Sequence, residues 1–180
     1  MVHSLKTLSV ALAALGVALL VPALNAQAAT ATNSLSISAT VTANCTIAAT
    51  SAIAFGNYDP LVTHAAAPLN ATGGLSVACT KGAPGVKIGL GTGANAAAGA
   101  TCAAPVRNLS DGANMLAYAL FRDAGRTQPW GCDTSAGGNT LAYTPASKNT
   151  TLITVYAQIP GGQDISAGAY TDTVVATITF

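Results

Sequence analysis

Four cysteines (Cys45, Cys79, Cys102 and Cys132), two histidines (His3 and His64) and six aspartates without a glutamate are the residues of this chain most suited to chemistry. Thiols can bind metal, but no C-x-x-C occurs and His64 has no second ligand at a metal-binding spacing. Acid-base catalysis needs titratable groups tuned by close neighbours, and six scattered aspartates beside one internal histidine do not supply them. No G-x-S-x-G nucleophile motif is present. Gly89, Gly91 and Gly93 suggest a phosphate loop only superficially, because no Lys-Ser/Thr pair and no helix pattern follow them. The expectation is therefore a non-catalytic chain without metal or cofactor. What remains for the cysteines is cross-linking.

The N-terminal residues say where cross-linking is possible. Residues 1–28 read as a secretory signal peptide. His3 and Lys6 precede an apolar run over residues 8–24, interrupted by Pro22, and Ala26-Gln27-Ala28 supplies the small-residue cleavage pattern. No second apolar run of span length follows, so the processed chain is expected to be exported and not membrane-embedded. An even number of cysteines in an exported chain predicts two disulfides, with three connectivities open. The whole chain carries seven Lys and Arg against six acids, so loss of Lys6 leaves six against six. Near-neutrality argues against nucleic acid or anionic lipid as a partner and leaves little charge to oppose self-association.

The elements that must hold these residues are strands. Helix-forming Glu is absent, while Thr, Ser, Gly, Ala and Val are abundant. Over residues 35–47 the alternation is unbroken: Leu35, Ile37, Ala39, Val41, Ala43, Cys45 and Ile47 against Ser36, Ser38, Thr40, Thr42, Asn44 and Thr46. Period two marks a half-buried strand, yet thirteen residues at about 3.4 Å each span roughly 44 Å, twice the usual strand. The stretch is long enough for two strands' tasks, and its first half is free to pair outside its own domain. Further runs are expected at residues 51–58, 74–80, 86–90, 115–121 (apolar on both faces), 151–159 and 170–180, separated by turn clusters. Such spacing predicts a sandwich or barrel. The last run sets Tyr170, Val174, Ala176, Ile178 and Phe180 on one face, and an apolar edge there would need cover from another chain.

Ordered motifs along the chain resemble a known family. Asn44-Cys45-Thr46, Phe55-Gly56-Asn57-Tyr58, Val77-Ala78-Cys79-Thr80, then Leu116-Ala117-Tyr118-Ala119-Leu120-Phe121-Arg122-Asp123 with Arg126-Thr127 and Trp130-Gly131, look like the spore coat protein U domain. The ending agrees: Thr154-Val155-Tyr156-Ala157-Gln158-Ile159-Pro160-Gly161-Gly162-Gln163, then Gly168-Ala169-Tyr170-Thr171-Asp172-Thr173-Val174. This family includes subunits of archaic, Csu-type chaperone-usher pili. The resemblance implies an all-β, incomplete immunoglobulin-like β-sandwich completed by a donor strand, first from a periplasmic chaperone and then from the next subunit. An outer-membrane usher and neighbouring pilus subunits are the other implied partners, with the cell surface or a secreted coat as destination.

On this reading residues 29–43 are an N-terminal extension and residues 44–180 the pilin domain. Leu35, Ile37, Ala39 and Val41 form the donor strand, and Tyr170, Val174, Ala176, Ile178 and Phe180 form the acceptor edge and chaperone contact. The resemblance also pairs Cys45 with Cys79 and Cys102 with Cys132. A bond closing about 34 residues stabilises by roughly 3 to 4 kcal/mol in the chain-entropy model. The implied function is a structural subunit of a fibre used in adhesion and biofilm formation. The alternative is a secreted coat protein or a monomeric adhesive, carbohydrate-binding sandwich. Arg122, Asp123 and Arg126 are expected to form a loop-fixing ion pair, Trp130 to pack over a loop, and Gly56 to supply a backbone angle that other residues resist. Asn44, Asn70, Asn108 and Asn149 open N-x-Ser/Thr triplets of the kind that arise by chance in Thr-rich sequence.

Overall fold

A computed structural model describes residues 28–180. Residues 1–27, which hold almost all of the expected signal peptide, lie outside the described residues. Eight strands and no helix are found in the described part: β1 (Cys45–Ser51), β2 (Leu69–Cys79), β3 (Lys87–Leu90), β4 (Arg107–Ser110), β5 (Met115–Phe121), β6 (Leu141–Ala142), β7 (Thr151–Ile159) and β8 (Ala176–Thr179). They form a five-stranded sheet, β1-β2-β7-β5-β4, and a three-stranded sheet, β6-β3-β8. Every pairing is antiparallel.

Alternation decides which side of each strand goes inward. Leu75, Val77 and Cys79 of β2, Leu116, Tyr118 and Leu120 of β5, and Val155, Ala157 and Ile159 of β7 are buried, while their neighbours in sequence are not. Ile88 and Leu90 of the smaller sheet join the same apolar cluster, so the two sheets share one core. Expected strands at residues 115–121 and 151–159 are found with those bounds. The first of these is buried on one face only, its other face being half-exposed, because β5 runs between β7 and β4 within the sheet rather than through the centre of the core.

The long alternating segment is not one strand. Residues 28–44 form none, and the strand begins at Cys45, where β2 offers a ladder that starts with Cys45 opposite Cys79. Leu35, Ile37 and Val41 are 86%, 88% and 82% exposed. The run at residues 51–58 is likewise not a strand. The ladder shifts register between Ala49 and Ser51, and the chain then leaves β2. At the other end, regular pairing covers Ala176–Thr179 rather than the whole of residues 170–180, because beyond Leu90 the partner chain turns into a small-residue loop with Gly93 at φ 92. Residues 171–175 are still tied by main-chain bonds, Gly91 N–H to Val175 O (2.9 Å), Ala94 N–H to Thr173 O (3.0 Å) and a reciprocal pair between Ser110 and Thr171 (2.9 Å).

Both disulfides are formed, Cys45 with Cys79 and Cys102 with Cys132, closing separations of 34 and 30 residues. Trp130 does not lie over a loop. It is fully buried, and its indole N–H donates to Ile88 O at 2.8 Å, which fastens the loop after β5 into the core. Nor do Arg122, Asp123 and Arg126 pair with each other. Asp123 accepts the N–H groups of Thr127 and Gln128, Arg122 donates to Thr140 O, and Arg126 donates to Ala157 O and Ala124 O. A tight turn leaves its own N–H groups unpaired, and they take the carboxylate first.

The same device recurs at Asp59, Asp111 and Asp133, and it sets the acid response. Main-chain N–H groups hold the carboxyls of Asp59, Asp123 and Asp133 below the ordinary value of 3.8. Asn114, through its side chain and then its N–H, pulls Asp111 down to about 2. A carboxylate with a depressed folded-state pKa stabilises the fold above its unfolded value and loses that contribution as pH falls through the folded one. Thermal midpoints are therefore expected to be flat from about pH 7 to 5 and to fall between about pH 4 and 2, followed by circular dichroism. A midpoint that stays constant to about pH 2 would remove these turns from the stability of the fold.

Candidate functional site: an open groove

β1 and β8 are the end strands of their sheets, each bonded on one side only, to β2 and to β3 respectively. They face each other across the mouth of the core. A groove in two parts starts between them, with about 470 Å³, and continues between the segment after β1 and the segment before β8, with about 760 Å³.

The first part is floored by Leu75, Leu90, Leu120 and Val155, between Ile47 on one flank and Val174 and Ala176 on the other. The second opens between residues 53–61 and residues 165–172, over Leu116 and Ile159. Ile53, Phe55, Leu109 and Asp172 line both parts and so mark the waist at which they join. Along this groove the β1 flank ascends in sequence while the β8 flank descends. An added strand is thus antiparallel to one flank and parallel to the other.

Local sequence explains the β1 flank. Past Ser51 the chain crosses close over β2 at Gly73 and Gly74, where a Cβ on Gly73 would lie 2.5 Å from Ile53 Cγ1 and 3.1 Å from Ser51 O. Ile53, Phe55 and Tyr58 then pack against the core edge without joining a ladder, and Gly56 adopts φ 76 as the sequence suggests. Gly73→Ala is expected to push Ile53 off its seat, costing about 1 to 3 kcal/mol as an overpacked site does. Chemical denaturation reads this as a lower midpoint. An unchanged midpoint would mean that the crossing tolerates a methyl group.

One polar cluster sits at the waist of the groove, whose narrower part is mainly apolar. Tyr118 O–H donates to Asp172 Oδ2 at 2.6 Å, and Asp172 Oδ1 accepts from the N–H and side-chain amide of Asn95 at 3.0 and 3.2 Å. Desolvation, then the bond to Asp172, pushes the Tyr118 phenol well above its ordinary range, so it remains a neutral donor. Phe55 meets the Tyr118 ring edge-on at 6.2 Å between centroids. Beside Tyr118 in sequence, Ala117 is held by Gln163, whose side-chain amide bonds to both its N–H and its C=O. Each of these polar groups has a partner within the fold.

The residues expected at the acceptor edge divide. Tyr170, Val174 and Ala176 line the groove; Ile178 packs against the core beyond it, and Phe180 is 52% exposed. Leu35, Ile37, Ala39 and Val41, expected as the donor residues, stand exposed in a segment without a strand. Sequence reasoning missed Asp172, Leu109 and Arg107. Asp172 was legible, because period two places it between Tyr170 and Val174 as the one acid on an otherwise apolar face. Among the described residues there is no cluster of three His, Cys, Asp or Glu side chains able to hold a metal, and no helix long and apolar enough to cross a membrane. The arrangement offers main-chain bonding on an open edge and apolar pockets beneath it, which suits an extended peptide.

Residues 31–177 match the Spore Coat Protein U domain. Protein U of Myxococcus xanthus is 40% identical over 162 residues, which cover 86% of this chain and 88% of that protein. Among solved structures, the fold is similar to a chain in the CsuC-CsuE chaperone-tip adhesion subunit pre-assembly complex from archaic chaperone-usher Csu pili of Acinetobacter baumannii, with a TM-score of 0.51 and 20% identity. That match covers 78% of this chain and 40% of the other. The family match over residues 31–177 and the 40% identical relative agree with the motifs, and the chain belongs to the Spore Coat Protein U domain family.

Proposed function

We propose that this chain is a structural subunit of a surface fibre assembled by the chaperone-usher route, with the groove receiving a strand from a chaperone and then the residue 29–43 arm of the next subunit. The observation that carries the reading is the occurrence in one chain of a groove, mainly apolar where it lies between two sheet edges, and an exposed arm of alternating apolar residues. Leu35, Ile37, Ala39 and Val41 recur every second residue, as side chains must to enter pockets from one face of a strand. At roughly 1.5 to 3 kcal/mol for each large aliphatic buried, and less for Ala39, the gross gain is on the order of 5 to 8 kcal/mol before ordering costs. Main-chain bonds to the open edge add to it.

The fold of the solved chaperone-subunit complex supports a periplasmic chaperone as the first partner. An arm on one copy and a groove on the next make a head-to-tail contact that does not close on itself, so it grows a fibre. Usher passage, cell-surface display and a role in adhesion and biofilm formation belong to the same proposal. Heating in detergent tests it. Assembled material is expected to run as a ladder of subunit multiples after mild heating and to collapse to one band after strong heating. A single band throughout would favour a monomeric binding module.

A further inference from the structure

The turn at the wide end of the groove is built to be stiff and carries two exposed apolar side chains. Asp59 Oδ1 accepts the N–H groups of Leu61 (2.9 Å) and Val62 (3.2 Å), His64 N–H returns to Asp59 O (2.8 Å), and the His64 ring stacks on Tyr58 at 5.2 Å. Leu61 and Val62 are nevertheless 86% and 78% exposed, and Leu61 stands on the groove rim. Among the described residues none covers this tip.

Chain direction says what would reach it. An added strand can be antiparallel to only one flank; taken as an extension of the smaller sheet, antiparallel to β8 as every pairing here is, it enters beside Ala176 and leaves beside Tyr170 and Leu61. Leu35 of the arm then lies in the narrower part and Val41 in the wider one. From Val41 only four residues, about 14 Å of extended chain, lead to Cys45, where the body of the donating copy begins. Its residues 42–44 are fastened to that body, since Asn44 N–H donates to Thr80 Oγ1 (3.1 Å) and Thr80 N–H to Asn44 O (2.8 Å). The donating copy is therefore held within one short span of the acceptor's tip.

We infer that Leu61 and Val62 form a second contact between successive copies, seated against the pole made by residues 42–44 and 80–85 of the copy that donates the arm. The inference rests on the strand-exchange reading and adds to it: the exchanged strand supplies the joint, and the tip limits its swing. Without such a contact the junction between Val41 and the fastened residues 42–44 would be a free pivot.

Photo-crosslinking tests it separately from strand exchange. The full chain carrying Leu61→p-benzoylphenylalanine is assembled into fibres, irradiated, and then unfolded in hot denaturant to release exchanged strands. A covalent dimer is expected, with the adduct on peptides spanning residues 42–44 or 80–85 of the other copy. Fibres that form normally but give no dimer, or an adduct elsewhere, would overturn the tip contact and leave strand exchange standing. Failure of the unsubstituted chain to form fibres would overturn both. As a second readout, L61S/V62S fibres are expected to assemble and to show a shorter persistence length in electron micrographs; unchanged stiffness would count against the contact. Both side chains are exposed, so the monomer's unfolding midpoint is expected to stay where it was.

Discussion

A subunit lacking residues 29–40 is expected to fold, to be captured by its chaperone and to form no fibres. The body that remains keeps both disulfides, both sheets and the whole groove, since none of these uses residues 29–40. What is removed includes Leu35, Ile37 and Ala39, three of the four side chains spaced to fill the groove of another copy. Losing most of a gross 5 to 8 kcal/mol lowers the equilibrium for exchange by about three to five orders of magnitude. Assembly should then disappear rather than weaken. The detergent ladder reads the loss, and co-purification with the chaperone shows that the truncated subunit is still competent to be held. Ile37→Asp makes the same point with one residue, because a carboxylate carried into an apolar pocket has no partner there. If the truncated subunit still polymerises, residues 35–41 are not the donor, and the exposed arm has some other use.

The arm also shows where reading a sequence succeeds and where it stops. Alternation is a property of the backbone in extended form, so the period of residues 35–47 marks a segment able to lie in a sheet, and residues 45–47 do so in β1. It carries no information on which sheet. The structure divides that single pattern at Cys45, with the portion beyond it in β1 and the portion before it exposed. Residues 51–58 fail for a different reason. Their pattern suits a strand, but the crossing over Gly73 and Gly74 takes them off the ladder, and that depends on a neighbour more than twenty residues away. Strands buried on one face by local alternation, such as β5 and β7, are legible to the residue. Four-residue β4 is not, because a single arginine in its first position breaks the apolar pattern on its inward face.

Arg107→Met is expected to cost about 3 to 5 kcal/mol, because it strips donors from three main-chain acceptors at about 1 to 3 kcal/mol each while relieving one desolvated charge. Arg107 is 2% exposed, and its guanidinium donates to three main-chain acceptors, Gly91 O, Leu90 O and Trp130 O, each at 2.8 Å. These belong to β3 of the smaller sheet, to the residue just after it, and to the loop that carries the buried tryptophan; Arg107 itself opens β4 of the larger sheet. One side chain thus joins both sheets at the floor of the groove. Desolvation lowers the pKa of the guanidinium, while the nearby Tyr118 and Asp172 act in the opposite sense. At arginine's usual strength it still remains a cation. A methionine fills the space but gives the three carbonyls no donor, and that is where the cost arises. For a chain of this size the thermal midpoint should fall by about 10 °C or more. Arg107→Lys should recover little, since a single ammonium on a flexible stem does not reproduce a planar fork aimed at three oxygens. Lys148→Met, on an exposed loop, controls for loss of charge and is expected to be within about 0.5 kcal/mol of the parent. Equal shifts for the two methionine variants would show that the guanidinium acts only through net charge, and that the sheets are held at the groove by apolar packing alone.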